Sequence, residues 1–415
     1  MLNYYIWTIG CQMNKAESER LTSLFEQDGY QPVSSTTQAD IIVLNTCVVR
    51  KSAEDRAVNK LHNLRTLKKS NPDLKLAVTG CWVDSDISRL QAEFPYVDYF
   101  FRAGDCPPWI DRAIWNQSLP GQPDAVTYVP IIQGCNNFCA YCVVPYRRGR
   151  EKSRPLSEIV CEVKELVHRG TREVILLGQN VDSYGHDLPE KPELSDLLIE
   201  LNSMEDLYRI RFLTNHPKDM SRRLIQTIAH LEKVCKQITL PVQAGSNEIL
   251  KTMRRGYTVE EYRKLVDEIR NSIPGIALSS DVIVGFPTET ELQFQQTVNL
   301  LTELRFDTVH VAAYSPRPGT IAARELEDDV PQVEKKRRLA ILERLQESIV
   351  TEINAGLTGK TVEVLVEGKQ KGKWYGRTGT DKLVFFIDDA NHARKLLNLR
   401  IETTSPWSLQ GTITK

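Results

Sequence analysis

Short apolar segments alternate with amphipathic helical segments through most of this sequence, and few folds accommodate that alternation. In the first part of the chain the predicted strands and helices are, in order, residues 4–9, 15–28, 41–44, 52–69 and 74–79. Strands that alternate with helices form a parallel sheet joined by right-handed crossovers. The sequence therefore predicts an α/β fold that begins with a parallel α/β domain, which we place at residues 1–118.

A cysteine follows each of these three strands within three residues. The cysteines are Cys11, Cys47 and Cys81. Because the carboxyl ends of parallel strands lie along one edge of a sheet, where ligands bind, we expect the three thiols to converge there. The alternative is a set of three buried structural thiols, since free cysteine is often buried.

The overall composition narrows the class of protein. The chain has 415 residues, of which 41% are hydrophobic and 26% charged, and this excludes a collagen-like or mostly disordered protein. It has nine cysteines, an odd number, and starts without the pattern of an export signal, so metal or redox chemistry is expected rather than a disulfide framework. No segment approaches the length of a membrane span. We therefore expect a soluble, cytoplasmic protein with no membrane contact.

A second run of alternating strands and helices follows a stretch rich in proline and tryptophan. That stretch, residues 106–122, is predicted to be an inter-domain linker. The strands predicted beyond it are residues 128–133, 173–177, 210–213, 237–242, 277–284 and 308–314, and the helices are residues 157–168, 258–271 and 289–304. Six strands with intervening helices fit a partial (β/α)6 barrel, shorter than the ~250 residues of an eight-unit barrel. We place this domain at residues 119–350.

The pattern changes again after a charged helix predicted over residues 333–353. Short strands follow at residues 361–367, 374–377, 382–386 and 400–404, which predicts a small β-barrel over residues 351–415. From residue 357 onward this unit has ten Lys and Arg against six Asp and Glu, although the whole chain has a net charge of −1. Basic residues with aromatic residues on a small barrel suit RNA binding, and we predict RNA contacts at Lys371, Lys373 and Trp374.

The strongest local motif is C-x3-C-x2-C, formed by Cys135, Cys139 and Cys142 directly after the first strand of the predicted barrel. Three thiolates in one loop can hold three irons of a four-iron cluster and leave the fourth iron open to a substrate or cofactor. Structural zinc is the alternative. It needs four ligands, and no fourth Cys or His lies close in sequence.

This motif at the first loop of a partial barrel resembles the radical S-adenosylmethionine (SAM) superfamily, in which the aromatic residue before the last cysteine, here Tyr141, is also typical. The resemblance implies that the open iron binds SAM and that an electron from the 4Fe-4S cluster cleaves it to methionine and a 5′-deoxyadenosyl radical. Polar residues at the carboxyl ends of barrel strands are then candidates for contacts with SAM, and we select Gln179, Asn180 and Gln243.

The segments around Cys11, Cys47 and Cys81 indicate one particular family within this superfamily. The segments 10–14, 45–47 and 79–81 are similar to the N-terminal domain of the methylthiotransferases, which implies a second, auxiliary 4Fe-4S cluster held by Cys11, Cys47 and Cys81. Further segments are similar to the methylthiotransferase branch that acts on isopentenylated tRNA: residues 141–146, 153–155, 177–181, 240–246 and 314–320. The C-terminal unit resembles the TRAM domain, a small RNA-binding β-barrel.

The resemblance implies a transferase that methylthiolates C2 of N(6)-isopentenyl-adenosine at position 37, next to the tRNA anticodon. The implied partners are the tRNA, an electron donor and a sulfur source. The alternatives are threonylcarbamoyl-adenosine in tRNA or an aspartate of a ribosomal protein as substrate. An alternative of another class is a non-catalytic RNA-binding protein stabilised by zinc.

A basic segment follows the second cysteine triplet and is predicted to contact RNA phosphates or the SAM carboxylate. Its members are Arg147, Arg148, Arg150 and Arg154. Four other residues are not expected to bind a ligand: His216, which we interpret as a loop cap, and the remaining cysteines, which are Cys106, Cys161 and Cys235.

Overall fold

The structure is a computed structural model that describes residues 2–49, 51–84, 86–110, 115, 119 and 123–414. Its N-terminal domain is a five-stranded parallel sheet with the strand order β2-β1-β3-β4-β5. In chain order the elements are β1 (Asn3–Thr8), α1 (Gln12–Gln27), β2 (Gln31–Pro32), β3 (Ile41–Thr46), α2 (Lys51–Ser70), β4 (Lys75–Gly80), α3 (Ile87–Glu93) and β5 (Tyr99–Phe100). The predicted parallel α/β domain is thus confirmed.

The middle strand β3 explains why this sheet forms. All six of its residues are buried, as expected for a parallel strand covered on both faces. Ile42 and Leu44 pack with Leu61 of α2 on one face, and Ile41 and Val43 pack with α1 on the other. The sheet therefore holds its carboxyl-terminal edge, with the three predicted thiols, on a rigid support.

Only part of the predicted linker, residues 106–122, belongs to the described residues. Residues 111–114, 116–118 and 120–122 lie outside the described residues. Trp109 packs against Phe25, Tyr99 and Phe101, and Trp115 is 6% exposed beneath the guanidinium of Arg20. The two tryptophans are part of the N-terminal core, so their segment is not the free connection that its composition predicts.

The central domain contains six parallel strands, as predicted. Its elements in chain order are β6 (Val126–Pro130), β7 (Ile132–Gln133), α4 (Val144–Arg148), β8 (Lys152–Ser153), α5 (Leu156–His168), β9 (Glu173–Leu177), α6 (Leu194–Asn202), β10 (Arg209–Phe212), α7 (Arg222–His230), β11 (Gln237–Thr239), α8 (Asn247–Thr252), α9 (Val259–Ser272), β12 (Ala277–Val284), α10 (Glu291–Leu304), β13 (Thr308–Ala313), α11 (Ile321–Glu325) and α12 (Gln332–Ala355). Strands β6, β9 and β10 form one three-stranded sheet and β11, β12 and β13 form another. A parallel bridge between Ile210 and Val234 joins them into a partial barrel.

The C-terminal domain is a closed barrel with the strand order β14-β15-β16-β18-β17. The strands are β14 (Thr361–Gln370), β15 (Lys373–Thr378), β16 (Leu383–Phe386), β17 (Leu396–Thr404) and β18 (Leu409–Ile413). The predicted small β-barrel is confirmed. The sequence prediction omitted β18, whose Leu409 and Gly411 are buried but whose neighbours are polar. None of the helices in the described part of the chain has both the length and the apolar content that a membrane crossing needs.

The C-terminal barrel packs against the amino-terminal edge of the central strands. At the start of β10, Arg209 donates to the carbonyl of Arg377 (2.6 Å) and pairs with Glu363 (2.9 Å). Just before β13, Asp307 pairs with Lys382 (2.8 Å). The C-terminal barrel therefore leaves the opposite, carboxyl-terminal edge of these strands uncovered by its own strands. A cavity of about 1220 Å³ runs through the barrel interior between these domains and α1.

Glu367 lines this cavity, and burial there raises its pKa to about 7. Since the unfolded chain releases this proton near pH 4.5 and the folded chain retains it, stability falls as the pH rises from about 4.5 to 7. Glu367→Gln is expected to stabilise the protein by about 2 kcal/mol at pH 8, and not at pH 4. Thermal unfolding midpoints at the two pH values measure this. An equal gain at both would show that ionisation of Glu367 is not the cause.

Candidate active site

The loop of the second cysteine triplet is closed at its base by a small antiparallel ladder. β7 pairs with β8 on either side of the loop, and Cys135 N–H donates to the carbonyl of Gly149 (3.2 Å). Within the loop, Cys142 N–H donates to the carbonyl of Cys139 (2.9 Å), while Ala140 N–H donates to that of Met253 (2.9 Å). These bonds fix the loop at the carboxyl end of the first barrel strands.

The three thiols of this loop are close together in a nearly dry setting. Cys139 is buried, and Cys135 and Cys142 are half-buried. Burial raises the pKa of Cys135 to about 11 and that of Cys142 to about 12, and the neighbouring cysteines add to both shifts. Thiolates at these positions therefore require a positive partner such as a metal centre.

Gly134 allows the loop to begin where it does. Its φ is +83°, and a Cβ at this position would lie 2.1 Å from the carbonyl oxygen of Arg150. Gln179, predicted to contact SAM, instead uses its Oε1 to accept from Gly134 N–H (2.6 Å). The side chain of Gln179 thus positions the cysteine loop.

Gly134→Ala is expected to displace the loop and to remove most of the iron bound by Cys135, Cys139 and Cys142. The matched control is Gly275→Ala, because Gly275 also has a positive φ of +75° but nothing within 4 Å of its added Cβ, and it lies in the turn before β12, away from the cysteine loop. The control incurs only backbone strain of about 1–2 kcal/mol and is expected to keep its iron. Iron content after anaerobic reconstitution measures the effect, and equal loss in both variants would contradict it.

Arg255 is a residue of this site that the sequence analysis missed. It is 4% exposed, and its Nη1 donates to Cys139 Sγ (3.2 Å) and to the Tyr141 hydroxyl (3.3 Å). Its other nitrogens bind the Tyr257 hydroxyl and the carbonyl of Pro241. In the sequence, Arg255 stands between the short helix α8 and Gly256. Nothing in that local pattern indicates that its side chain is buried.

The carboxyl ends of β9, β10 and β11 carry buried polar atoms that have no hydrogen-bond partner among the described residues. They include Asn180 Oδ1, His216 Nε2 and Gln243 Oε1. Gln243 also holds a strained φ of +72°. Buried polar atoms are rarely left unpaired, which makes these three atoms candidates for contact with a polar ligand or with water.

His216 can serve as a neutral donor in this group. Burial lowers its pKa to about 2, and Lys218 N–H donates to its Nδ1 (3.2 Å). The neutral ring therefore carries its proton on Nε2, the atom without a partner. Its place is fixed by Asp182, which accepts from His216 N–H (2.9 Å) and from Asn215 Nδ2 (2.5 Å). The interpretation of His216 as a loop cap agrees with the hydrogen bond that Nδ1 accepts from Lys218 N–H. It does not explain why Nε2 is buried with no partner among the described residues.

The first cysteine triplet also converges, at the carboxyl edge of the N-terminal sheet. Cys11 precedes α1, Cys47 follows β3 and Cys81 follows β4. Cys11 Sγ donates to Asn14 Oδ1 (3.4 Å), and Asn14 Nδ2 donates to Asn45 Oδ1 and the carbonyl of Thr46, both at 2.9 Å. Burial raises the pKa of Cys81 to about 12, with Cys47 and Cys11 near enough to contribute.

Helix α4 connects the two triplets. It begins two residues after Cys142, and Arg148 in its last turn donates to Cys81 Sγ (3.1 Å) and pairs with Glu17 (2.7 Å). Val143 packs in the N-terminal core with Cys81 and Trp82. The two cysteine sites are therefore held side by side across the domain boundary.

The predicted RNA contacts divide into accessible and inaccessible residues. Arg148 is 6% exposed and engaged with Cys81, and Trp374 is 8% exposed in the core of the C-terminal barrel, so both side chains are buried away from an approaching RNA. Arg147 pairs with Asp84 and Arg154 with Glu162. The accessible members are Arg150, which lies over the Phe138 ring, and Lys371 and Lys373 in the β14–β15 turn region.

Neither triplet has the geometry of a single-ion site. Within the ranges that the structure describes, no three His, Cys, Asp or Glu side chains converge as ligands of one metal ion. A four-iron cluster takes one thiolate per iron, so its ligands stand further apart than the ligands of tetrahedral zinc. Each triplet supplies three thiols, the number that a four-iron cluster with one open iron takes, whereas structural zinc takes four ligands.

Comparison with known proteins agrees with this arrangement. Three family models match: "Uncharacterized protein family UPF0004" over residues 3–102, the radical SAM superfamily over 129–301 and the TRAM domain over 357–414. A protein of Dehalococcoides mccartyi (strain CBDB1) named tRNA-2-methylthio-N(6)-dimethylallyladenosine synthase is 56% identical over 414 residues, which cover 100% of this chain and 99% of the relative. The chain belongs to the methylthiotransferase family of radical SAM enzymes. A methylthiotransferase of the same name from Chloroflexus aurantiacus is 48% identical and covers 98% of this chain and 91% of the relative.

Solved structures share the fold of this methylthiotransferase. The radical SAM methyltransferase TsrM from Kitasatospora setae matches with a TM-score of 0.53 and 14% identity, covering 90% of this chain and 77% of that chain. The cobalamin-dependent radical SAM enzyme OxsB matches with a TM-score of 0.53 and 11% identity, covering 85% of this chain and 56% of that chain. As a radical SAM methylthiotransferase, the protein is an enzyme whose family implies a 4Fe-4S cluster and SAM.

Proposed function

We propose that this enzyme attaches a methylthio group to C2 of N(6)-isopentenyl-adenosine at position 37 of tRNA, next to the anticodon. The observation that carries the proposal is the pair of cysteine triplets that Arg148 joins, in a chain with full-length relatives that bear the synthase name. One methylthiolation needs both a radical and a sulfur, and two adjacent cluster sites can supply them together.

The two triplets have different roles in this proposal. Cys135, Cys139 and Cys142 would hold the cluster that binds SAM, and Cys11, Cys47 and Cys81 would hold an auxiliary 4Fe-4S cluster that would supply the sulfur to be transferred. SAM at its cluster supplies a 5′-deoxyadenosyl radical, which is needed because the C2 carbon is neither acidic nor an obvious nucleophile. A second SAM supplies the methyl group.

The protein's own side chains orient SAM and keep water away. Asn180 and Gln243 offer buried oxygen acceptors to amino or hydroxyl groups, and His216 Nε2 offers a donor to a carboxylate or a ring nitrogen. These atoms gain the partners that they lack in the protein alone, which favours binding. Arg255 balances the charge on Cys139, and Gln179 holds Gly134 at the start of the loop.

The tRNA would meet the accessible basic residues Arg150, Lys371 and Lys373, which contact phosphate rather than read sequence. An electron donor and a sulfur source complete the set of partners. We expect this reaction to take place in the cytoplasm. The related substrates, threonylcarbamoyl-adenosine in tRNA and an aspartate of a ribosomal protein, need the same two cluster sites and differ only in what approaches them.

Mass spectrometry of nucleosides tests the proposal. The reconstituted protein is incubated anaerobically with reductant, SAM, sulfide and two tRNAs, one isopentenylated and one threonylcarbamoylated. We expect a methylthio product on isopentenyl-adenosine alone. Product only on the other tRNA would retain the mechanism and change the substrate, whereas cleavage of SAM with product on neither would point to a protein substrate. Colourless protein containing zinc would support the non-enzymatic alternative.

A further inference from the structure

Arg148 is a buried charge that the reaction proposed above does not use. It lies in α4, and its guanidinium crosses the domain boundary to the edge of the N-terminal sheet. Nε donates to Cys81 Sγ (3.1 Å), Nη1 donates to Glu17 Oε1 (2.7 Å) and Nη2 donates to Asn14 Oδ1 (3.4 Å). Each of its three nitrogens therefore has a partner in the N-terminal domain.

The surroundings keep this guanidinium in place. The side chain of Arg148 is 2% exposed and that of Glu17 is 13% exposed. An arginine stays charged at any working pH, and its planar fork fits several acceptors at once. Once Cys81 is a thiolate, the guanidinium faces two anions, Cys81 and Glu17, and its single positive charge compensates only one of the two negative charges. Loss of Arg148 would leave both buried without compensation.

The same guanidinium reaches a second cysteine indirectly. Asn14 Oδ1 accepts both from Arg148 Nη2 and from Cys11 Sγ, each at 3.4 Å. Asn14 is itself 0% exposed and held by Asn45 and Thr46. Arg148 thus contacts Cys81 directly, and in the thiol form of Cys11 it is also linked to that cysteine through the amide of Asn14.

We propose that Arg148 is a positioning residue of the auxiliary site that raises the reduction potential of the cluster held by Cys11, Cys47 and Cys81. The proposal rests on the auxiliary cluster of the proposed function. Reduction adds negative charge to a cluster, so a hydrogen-bonded cation at a ligand sulfur stabilises the reduced form more than the oxidised form. The same residue ties this site to the loop that carries Cys142.

Arg147 provides a matched control on the same helix. It also crosses the domain boundary and pairs with Asp84, three residues after Cys81, and its carbonyl accepts from Arg102 Nη2 (3.1 Å). No hydrogen bond joins its guanidinium to a cysteine among the described residues. Replacement of Arg147 removes one interface cation without touching a thiol.

The experiment uses the full chain in which Cys135, Cys139 and Cys142 are replaced by alanine, so that only the auxiliary site can bind a cluster. Arg148→Gln, Arg148→Lys and Arg147→Gln are each added to this parent. After anaerobic reconstitution, iron is counted and the reduction potential is measured by potentiometry with electron paramagnetic resonance. We expect about four irons per chain in the parent. The potential should be more negative in Arg148→Gln, shifted less in Arg148→Lys and unchanged in Arg147→Gln.

The outcomes separate this inference from the proposed function. A folded parent chain without iron would refute the auxiliary cluster itself. Equal potentials in the parent and in iron-loaded Arg148→Gln would overturn the role of Arg148 and leave the cluster intact. If Arg148→Gln loses its iron, Arg148→Lys decides: a shift relative to Arg147→Gln supports the inference, and no shift overturns it. Loss of iron from both Arg148 variants, with Arg147→Gln loaded, would assign Arg148 to retention of the cluster and overturn the effect on potential.

Discussion

Cys139→Ala is expected to abolish cleavage of SAM, whereas Cys47→Ala is expected to leave SAM cleavage and remove methylthiolation. Cys139 is buried in the loop at the barrel edge and accepts from Arg255, so its replacement would remove one of the three proposed cluster ligands and leave a buried cation without this partner. Cys47 lies in the other triplet, at the edge of the N-terminal sheet. The two variants should therefore interrupt different stages of one reaction.

Release of 5′-deoxyadenosine and formation of the methylthio nucleoside are measured in parallel for each variant. Cys161→Ala is the control, because Cys161 is exposed on α5 and belongs to neither triplet. It should match the wild-type protein in both assays. Equal loss of SAM cleavage in Cys139→Ala and Cys47→Ala, with both proteins folded, would contradict the division of roles between the triplets.

Glu173→Leu and Arg211→Met are each expected to destabilise the protein by about 3–5 kcal/mol. Glu173 in β9 and Arg211 in β10 form an ion pair of 2.8 Å inside the partial barrel, with side chains 4% and 2% exposed. Arg211 also donates to the carbonyl of Thr378 in the C-terminal barrel (3.2 Å). Removal of one partner leaves the other charged and buried, which costs more than the pair contributes.

The double variant with both substitutions is expected to recover much of the lost stability, since no uncompensated charge remains. Denaturant unfolding of the four proteins measures the coupling. Arg263→Met is the control, because its 3.0 Å pair with Glu303 is exposed and should contribute less than about 1 kcal/mol. If the double variant were as unstable as the sum of the two single variants, charge burial would not be the cause.

The main architecture was predictable because it depends on local periodicity. The long strands and helices of all three domains have clear apolar patterns, and the expected convergence of Cys11, Cys47 and Cys81 follows from the geometry of parallel strands. Strands β2 and β5 have two residues each, too few to show a period. The tryptophans at 109 and 115 sit among prolines that indicate a linker, yet they complete the N-terminal core.

The site was less predictable where it depends on contacts between distant segments. Asn180 and Gln243 were selected by their place after strands, and their unpaired atoms fit that selection. Arg255 donates to the sulfur of Cys139, which lies 116 positions earlier in the chain. Likewise, the run of basic residues after Cys142 does not reveal that Arg148 is buried and Arg150 accessible. Burial of a charge is decided by tertiary partners, which the local pattern does not contain.

The contact between Arg148 and Cys81 also sets an order of events during synthesis. The two residues are 67 positions apart, and Cys81 leaves the ribosome first. At ~5–20 residues per second, the N-terminal sheet and its three thiols can fold about 3–13 s before the guanidinium arrives. During that interval the thiols lack their cation and part of their cover. The nascent enzyme thus presents its first three cysteines in a more open form than the finished protein does.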